Sequence, residues 1–192
     1  VRDLEYVCVD EKAVGRGHDY LTVVTGLMDG KPQVLYAGDG RGEEGLNGFW
    51  KWLGPEACAR IKAVSMDMSQ AYQNSVCRYC PNAELIFDPF HLMKMLNRAV
   101  DEVRQREAVM GTKTERSTLK KTRQMWLWGE ENLPERHAAR FEELKDSTLK
   151  TARAWRIKEL WRTVKQCLDV DDAHAFFHKW YVLAMQSKLE PV

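Results

Sequence analysis

No stretch of this 192-residue sequence approaches the run of about 20 apolar residues that a membrane-spanning helix requires, which excludes a helical membrane protein. A surplus of one charge is lacking too, since 29 basic and 28 acidic residues leave a net charge of +1. That balance decides nothing about nucleic acid, because a local basic face fits inside a neutral total. The five cysteines are an odd number and no leader precedes them, which argues against a disulfide scaffold and for reduced, intracellular thiols. Internal repeats and low-complexity tracts are missing as well. What is present, 44% hydrophobic and 30% charged residues, suits a cytoplasmic globular protein with one sizeable domain, or one domain carrying a large insertion.

The chain opens at Val1, enters a strand-like run by Tyr6, and closes at Pro191-Val192 after a helical stretch. Both ends read as cuts inside a larger design; a natural short protein is the other reading.

Residues 1 to 90 alternate between the two hydrophobic periods. Tyr6 to Asp10 predicts a short strand ending in an acid. Tyr20 to Met28, rich in β-branched residues, predicts a second strand, and Asp29-Gly30 a tight turn into a third over Lys31 to Ala37. Glu43 to Leu53 reads as a helix with Leu46, Phe49, Trp50 and Leu53 on one face. Ile61 to Met66 is a buried-type strand running into Asp67; Ser69 to Cys77 is helical with Ser69 as its cap; Glu84 to Asp88 is a strand stopped by Pro89. The order β-β-β-α-β-α-β-α predicts an α/β (α+β) fold with a five-stranded mixed sheet, as in the ribonuclease H-like fold.

From Phe90 the pattern is helical. One helix is expected over His91 to Val109, broken by Gly111, and others over Glu115 to Trp126, Pro134 to Leu144, Ser147 to Leu168 and Asp171 to Leu189. Tryptophans 126, 128, 155, 161 and 180 would weld these helices together. The domain expectation is a core over 1–110 and an all-helical insertion over 111–192.

Asp10 and Asp67 close the first and fourth strands, which the element order makes neighbours, so their carboxylates are expected at one sheet edge. Two adjacent carboxylates repel, and a hard divalent cation such as Mg²⁺ or Mn²⁺ relieves the repulsion. Two such ions about 3.5–4 Å apart activate a water or 3′-hydroxyl and stabilise the leaving oxygen of a phosphodiester. Each acid taken singly reads more readily as a solvated strand end or loop cap, and only the pair points to a metal.

Particular strings then stand out: Val9-Asp10-Glu11-Lys12, Tyr20, Asp39-Gly40-Arg41, Val64-Ser65-Met66-Asp67-Met68-Ser69-Gln70-Ala71-Tyr72, Pro81-Asn82-Ala83-Glu84, Asp88-Pro89-Phe90-His91 and Asn97 to Arg104. Together they resemble the motif string of the insertion-sequence DDE transposases with a helical insertion in a ribonuclease H-like core, the ISL-three group. The resemblance implies metal-dependent DNA cleavage and strand transfer, with Asp10 and Asp67 as the first two catalytic, metal-binding acids. It also implies a third acid, a glutamate, on a closing helix after the insertion. Glu190, set in Leu-Glu-Pro-Val, does not match that motif, so the two-metal site is expected only once the third acid is supplied, and this chain alone is expected to be weak or inactive. Implied partners are transposon-end and target DNA and further protomers, at the bacterial nucleoid. A nuclease of other substrates, or a non-catalytic remnant that binds nucleic acid, are the competing readings.

Other candidates are weaker. Asp88 and His91 form an acid–imidazole pair that either supports the metal site and its DNA or caps a helix around a packed histidine. Cys77 and Cys80 have half-zinc-site spacing but lack two further ligands, with Cys58 the only nearby cysteine, so packed thiols are favoured. His174 and His178 share a helical face without a third ligand. Two basic clusters, one with Lys113, Arg116, Lys120, Lys121 and Arg123 and one with Lys150, Arg153, Arg156, Lys158, Arg162 and Lys165, are interleaved with Trp126, Trp128 and Trp155. Lys120, Lys121, Arg123, Arg153 and Arg156 are the candidate phosphate contacts. Solvated helix faces balanced by glutamates are the alternative.

Overall fold

Five strands form one mixed sheet in the order β3-β2-β1-β4-β5, in a computed structural model that describes residues 3–15, 19–28 and 30–190. β1 (Tyr6–Ala13), β2 (Tyr20–Met28) and β3 (Lys31–Asp39) pair antiparallel; β4 (Ala63–Met66) and β5 (Glu84–Phe87) extend the sheet in parallel from β1. Parallel neighbours need crossovers, which α1 (Glu43–Leu53) with the short α2 (Pro55–Cys58), and then α3 (Gln70–Tyr79), provide. This is the ribonuclease H-like arrangement. Contacts divide the chain into two units, Val1–Leu92 and Met93–Val192.

In the first unit β1 alternates from Tyr6 to Asp10. Val7 and Val9 are buried, while Tyr6, Cys8 and Asp10 face the other way and are exposed. The buried face joins Val24, Val64 and Met66 against Leu46, Phe49 and Trp50 of α1 and Tyr72 and Val76 of α3. The Trp50 indole N–H donates to Ser75 Oγ at 3.0 Å, so burying that ring leaves no polar atom unpaired. On the opposite face, register aligns Cys8 with Thr25 and Ser65, Thr25 with Val34, and Ser65 with Ile86. There Tyr6, Val34 and Ile86 remain exposed.

The second unit is helical: the greater part of α4 (Pro89–Met110), then α5 (Lys113–Leu119), α6 (Arg123–Leu127), α7 (Glu135–Lys145), α8 (Lys150–Arg162) and α9 (Val170–Gln186). Phe141 stands edge-on between Trp126 and Trp155, at 5.2 and 4.9 Å between ring centroids. Of the five tryptophans expected to weld this half, Trp126 and Trp155 are buried, whereas Trp128 is exposed.

Several expected boundaries move. β1 does not end at Asp10 but continues to Ala13, because pairing with β2 persists there. The helix expected over Glu115 to Trp126 is two. A Thr112/Glu115 capping box starts α5, and an extended Lys120 followed by Lys121 at φ 63° breaks the chain before α6. Ser147 caps nothing; its hydroxyl donates to Leu144 O at 2.6 Å, and α8 begins at Lys150. Ser69 precedes α3, but its side chain makes no cap hydrogen bond. α8 ends at Arg162, and α9 runs from Val170 to Gln186 behind an Asp169 cap. Of the expected Asp29-Gly30 turn, Asp29 lies outside the described residues, and Gly30 has φ 74°.

Candidate functional site

β1 meets β4 only as far as Cys8 opposite Ser65, yet stays paired to β2 up to Ala13. The flank of β1 beyond Cys8 is therefore free of a strand on the β4 side, and Asp10 sits on it. Asp67 follows β4 directly and Asp88 follows β5. Parallel strands with their carboxyl ends at one edge gather the residues that follow them. Here Asp10, Asp67, Asp88 and His91, with Cys8 and Ser65 beneath them, line one cavity of about 280 Å³.

Each acid is held by backbone. Asp10 Oδ1 accepts from Glu11 N at 2.8 Å, and Asp67 Oδ1 accepts from Ser69 N at 2.9 Å. The second oxygen of each has no protein donor among the described residues. Asp88 is more committed. Its Oδ1 accepts from Phe90 N at 2.8 Å, starting α4, and its Oδ2 pairs with His91 Nδ1 at 2.9 Å. The Phe90 amide, and after it His91, hold the Asp88 carboxyl below the usual carboxylate range against a smaller opposing effect of burial. An ionised Asp88 only accepts, so His91 Nδ1 is the donor of this pair and Nε2 stays outside it. The pair is thus a helix cap and a wall of the acidic cavity at once.

The acids leave an imprint on neutral neighbours. Burial, then the charges of Asp10 and Asp88, push the Cys8 thiol up. Burial also raises the Tyr72 hydroxyl, with Glu11, Asp67 and Asp10 contributing, while its hydrogen bond to Thr22 opposes. In both cases burial is the larger cause and the nearby carboxylates add to it. Oxygen-only donors of this kind suit a hard divalent cation in chemical type. In number they do not complete its shell: among the described residues no three His, Cys, Asp or Glu side chains are grouped closely enough to hold a metal. Cys8 and Ser65 were not foreseen as cavity residues, although the strand period, two places before Asp10 and two before Asp67, was their signal.

The remaining candidates fall in the second unit or outside the cavity. Lys120, Lys121 and Arg153 are exposed. Arg123 is tied to Asp101 at 2.8 Å, and Arg156 donates to Lys145 O. Lys158 does not belong to a basic face. It is buried, with its ammonium donating to Trp126 O at 2.9 Å and Trp128 O at 3.0 Å. Arg162 is paired with Glu131 and Glu159. His174 and His178 are exposed, as is Cys77, whereas Cys58 and Cys80 are buried thiols.

The sequence matches the ISL3-type DDE family, described as transposase, over residues 7–192. It is 35% identical over 191 residues to the transposase of insertion sequence element IS1001 from Bordetella parapertussis, covering 96% of this chain and 46% of that protein. Transposases of IS1557 from two strains of Mycobacterium tuberculosis are 34% identical over 104 residues, 54% of this chain and 23% of theirs. The chain therefore spans about half, or less, of the length of the curated relatives it matches.

Proposed function

Because the chain belongs to the ISL3-type DDE transposases, we propose that its first unit carries two acids of a metal-dependent site that cleaves DNA and joins the cut end to a target. Asp10 and Asp67 would hold Mg²⁺ or Mn²⁺, each through the oxygen left without a protein donor. The observation that carries this is their position: Asp10 on the flank of β1 that β4 leaves unpaired and Asp67 directly after β4, both lining one cavity. Bound there, such a cation supplies Lewis-acid activation of a phosphodiester and of the attacking water or 3′-hydroxyl. The chain's own contribution is to fix the carboxylates. Glu11 N and Ser69 N each hold one oxygen and leave the other without a protein donor among the described residues. Asp88 orients His91, whose Nε2 is left for a hydrogen bond to a nucleophile or to a phosphate.

In this reading the third carboxylate comes from elsewhere in a longer protein, in keeping with a chain that spans 46% of the IS1001 relative. The exposed apolar sheet face of Tyr6, Val34 and Ile86, on the side of Asp10, supports a further helix closing there. Residues 1–110 are then the incomplete catalytic core and 111–192 the helical insertion, with Lys120, Lys121, Arg123, Arg153 and Arg156 as candidate DNA contacts. Substrate and partners are transposon-end and target DNA and further protomers, at the nucleoid of a bacterial cytoplasm. Calorimetry with Mn²⁺ tests the site: binding by the parent chain that disappears in Asp10→Asn and in Asp67→Asn is expected. Binding undiminished by both substitutions, or absent from the parent, refutes it. Robust Mg²⁺-dependent joining of DNA by these 192 residues alone would refute the assignment of a missing third acid.

A further inference from the structure

Tyr20 and Arg41 take no part in the acidic cavity, yet both lie at the same end of the sheet. β2 runs antiparallel to β1, so Tyr20 at its start pairs with Ala13, three residues past Asp10. At a rise of about 3.4 Å per residue this is about 10 Å beyond the acid. The last residue of β3, Asp39, pairs with Leu21 alongside, and the loop it enters carries Arg41.

Three observations make Arg41 more than a surface arginine. Its guanidinium carbon stands 4.9 Å from the centroid of the Tyr20 ring. It takes no acid as a partner: the ion pairs of the first unit among the described residues are Lys62–Glu5, Arg78–Glu43 and His91–Asp88. Even Glu43, two residues on, is engaged by Arg78. The loop beneath is fixed. Gly40 N donates to Tyr20 O at 2.7 Å, and Thr22 Oγ1 donates to Gly40 O at 2.7 Å. Thr22 Oγ1 also pairs with Tyr72 OH at 2.9 Å, on the helix that follows Asp67.

The glycines on either side leave the approach open. Gly40 has φ 83°, and a side-chain carbon at Gly40 or Gly42 would meet no heavy atom within 4 Å. Such an arrangement suits an extended anion that runs past the loop. A guanidinium seated over an aromatic ring keeps its planar N–H fork free and already ordered, the form in which arginine grips phosphate.

We propose that Arg41, seated over Tyr20, is a positioning residue that holds a backbone phosphate of DNA flanking the phosphodiester served by Asp10 and Asp67. The inference rests on the transposase reading of the acidic site and extends it to how substrate DNA is held in register. Arginine gives charge and geometry; Tyr20 removes the freedom the side chain would otherwise lose on binding.

The test is fluorescence anisotropy of a labelled DNA duplex of mixed sequence, titrated with the full chain in EDTA over a range of salt. Arg41→Ala is expected to bind about 5- to 10-fold more weakly, with the slope of log affinity against log salt shallower by about one unit. Arg41→Lys restores the slope without the full affinity, since it keeps the charge and loses the plane. Parent-like affinity and slope in Arg41→Ala, or failure of Arg41→Lys to restore the slope, overturns the proposal. Mn²⁺ calorimetry on the same proteins separates the two possible failures. A parent that binds Mn²⁺ beside an indifferent Arg41→Ala removes this assignment alone. A parent that binds none removes the site Arg41 would serve.

Discussion

Glu107→Gln should cost the helical unit much of its stability, although it removes no volume. Glu107 is buried on α4, and its carboxylate serves the start of α8. Oε1 accepts from Lys150 N at 2.7 Å; Oε2 accepts from Thr151 N at 2.8 Å and from Thr151 Oγ1 at 2.7 Å. α8 has no side-chain cap of its own, Leu149 being its N-cap residue, so Glu107 satisfies two of its orphan amides from another helix. A glutamine presents one oxygen and one NH₂. Whichever way the amide lies, an NH₂ faces an N–H and one buried donor loses its partner. That loss costs about 1–3 kcal/mol, and removing a negative charge from a helix N-terminus costs about 0.3–1 kcal/mol more. The expected total is roughly 1.3–4 kcal/mol, against ~1 kcal/mol for Thr112→Ala at the exposed cap of α5. Urea unfolding followed by tryptophan fluorescence reads it directly, because Trp126, Trp128, Trp155, Trp161 and Trp180 all lie in this unit. A shift equivalent to less than about 0.5 kcal/mol, the level of an ordinary surface change, with an unchanged denaturant slope would refute the capping argument.

Acid should loosen the same unit through Asp101. Burial opposes the charge there, but Arg123, Arg104 and Gln105 outweigh it and hold the carboxyl below its ordinary value. A carboxyl depressed in the folded state stabilises above its unfolded value and loses that contribution as pH falls through the folded one. Stability in urea should therefore decline below the ordinary carboxylate range, and Asp101→Asn should flatten that limb while lowering the neutral plateau; an unaltered acid limb would count against the network. In the first unit, Gly45→Ala would set a methyl 2.8 Å from Asp39 O and from Thr22 Oγ1. Overpacking of this kind costs about 1–3 kcal/mol, so a thermal midpoint equal to the parent's would contradict the close approach of α1 to the Arg41 loop.

Much of the first unit was legible because its signals are local and periodic. Val7 and Val9 alternate with Cys8 and Asp10, and Leu46, Phe49 and Trp50 recur at helical spacing; both patterns match the buried faces found. The sheet order followed from the alternation of elements, and with it the neighbouring positions of Asp10 and Asp67. The second unit was less legible. The break between α5 and α6 depends on Lys121 adopting a left-handed conformation that lysine shows no preference for. The start of α8 is set by Glu107, far away in sequence, so no local cap announces it. Lys158 looked like part of a basic face because its neighbours in sequence are charged; two tryptophan carbonyls, brought close only by tertiary packing, account for its burial.

The junction of β1 with β4 also bears on the order in which the molecule forms. β1, β2 and β3 close through neighbouring segments, a process of low loop cost, whereas β4 reaches β1 only after β3, α1 and α2 have been laid between them. Sequence separation therefore predicts that Asp10 is placed with the early hairpin and that Asp67 joins it in the slower, non-local closure. Local melting of β4 separates the two acids while leaving the hairpin intact. If the proposed site holds a cation, its affinity would gauge how completely the unit has folded. A change deep in the α1–α3 layer would then weaken the site without touching either carboxylate.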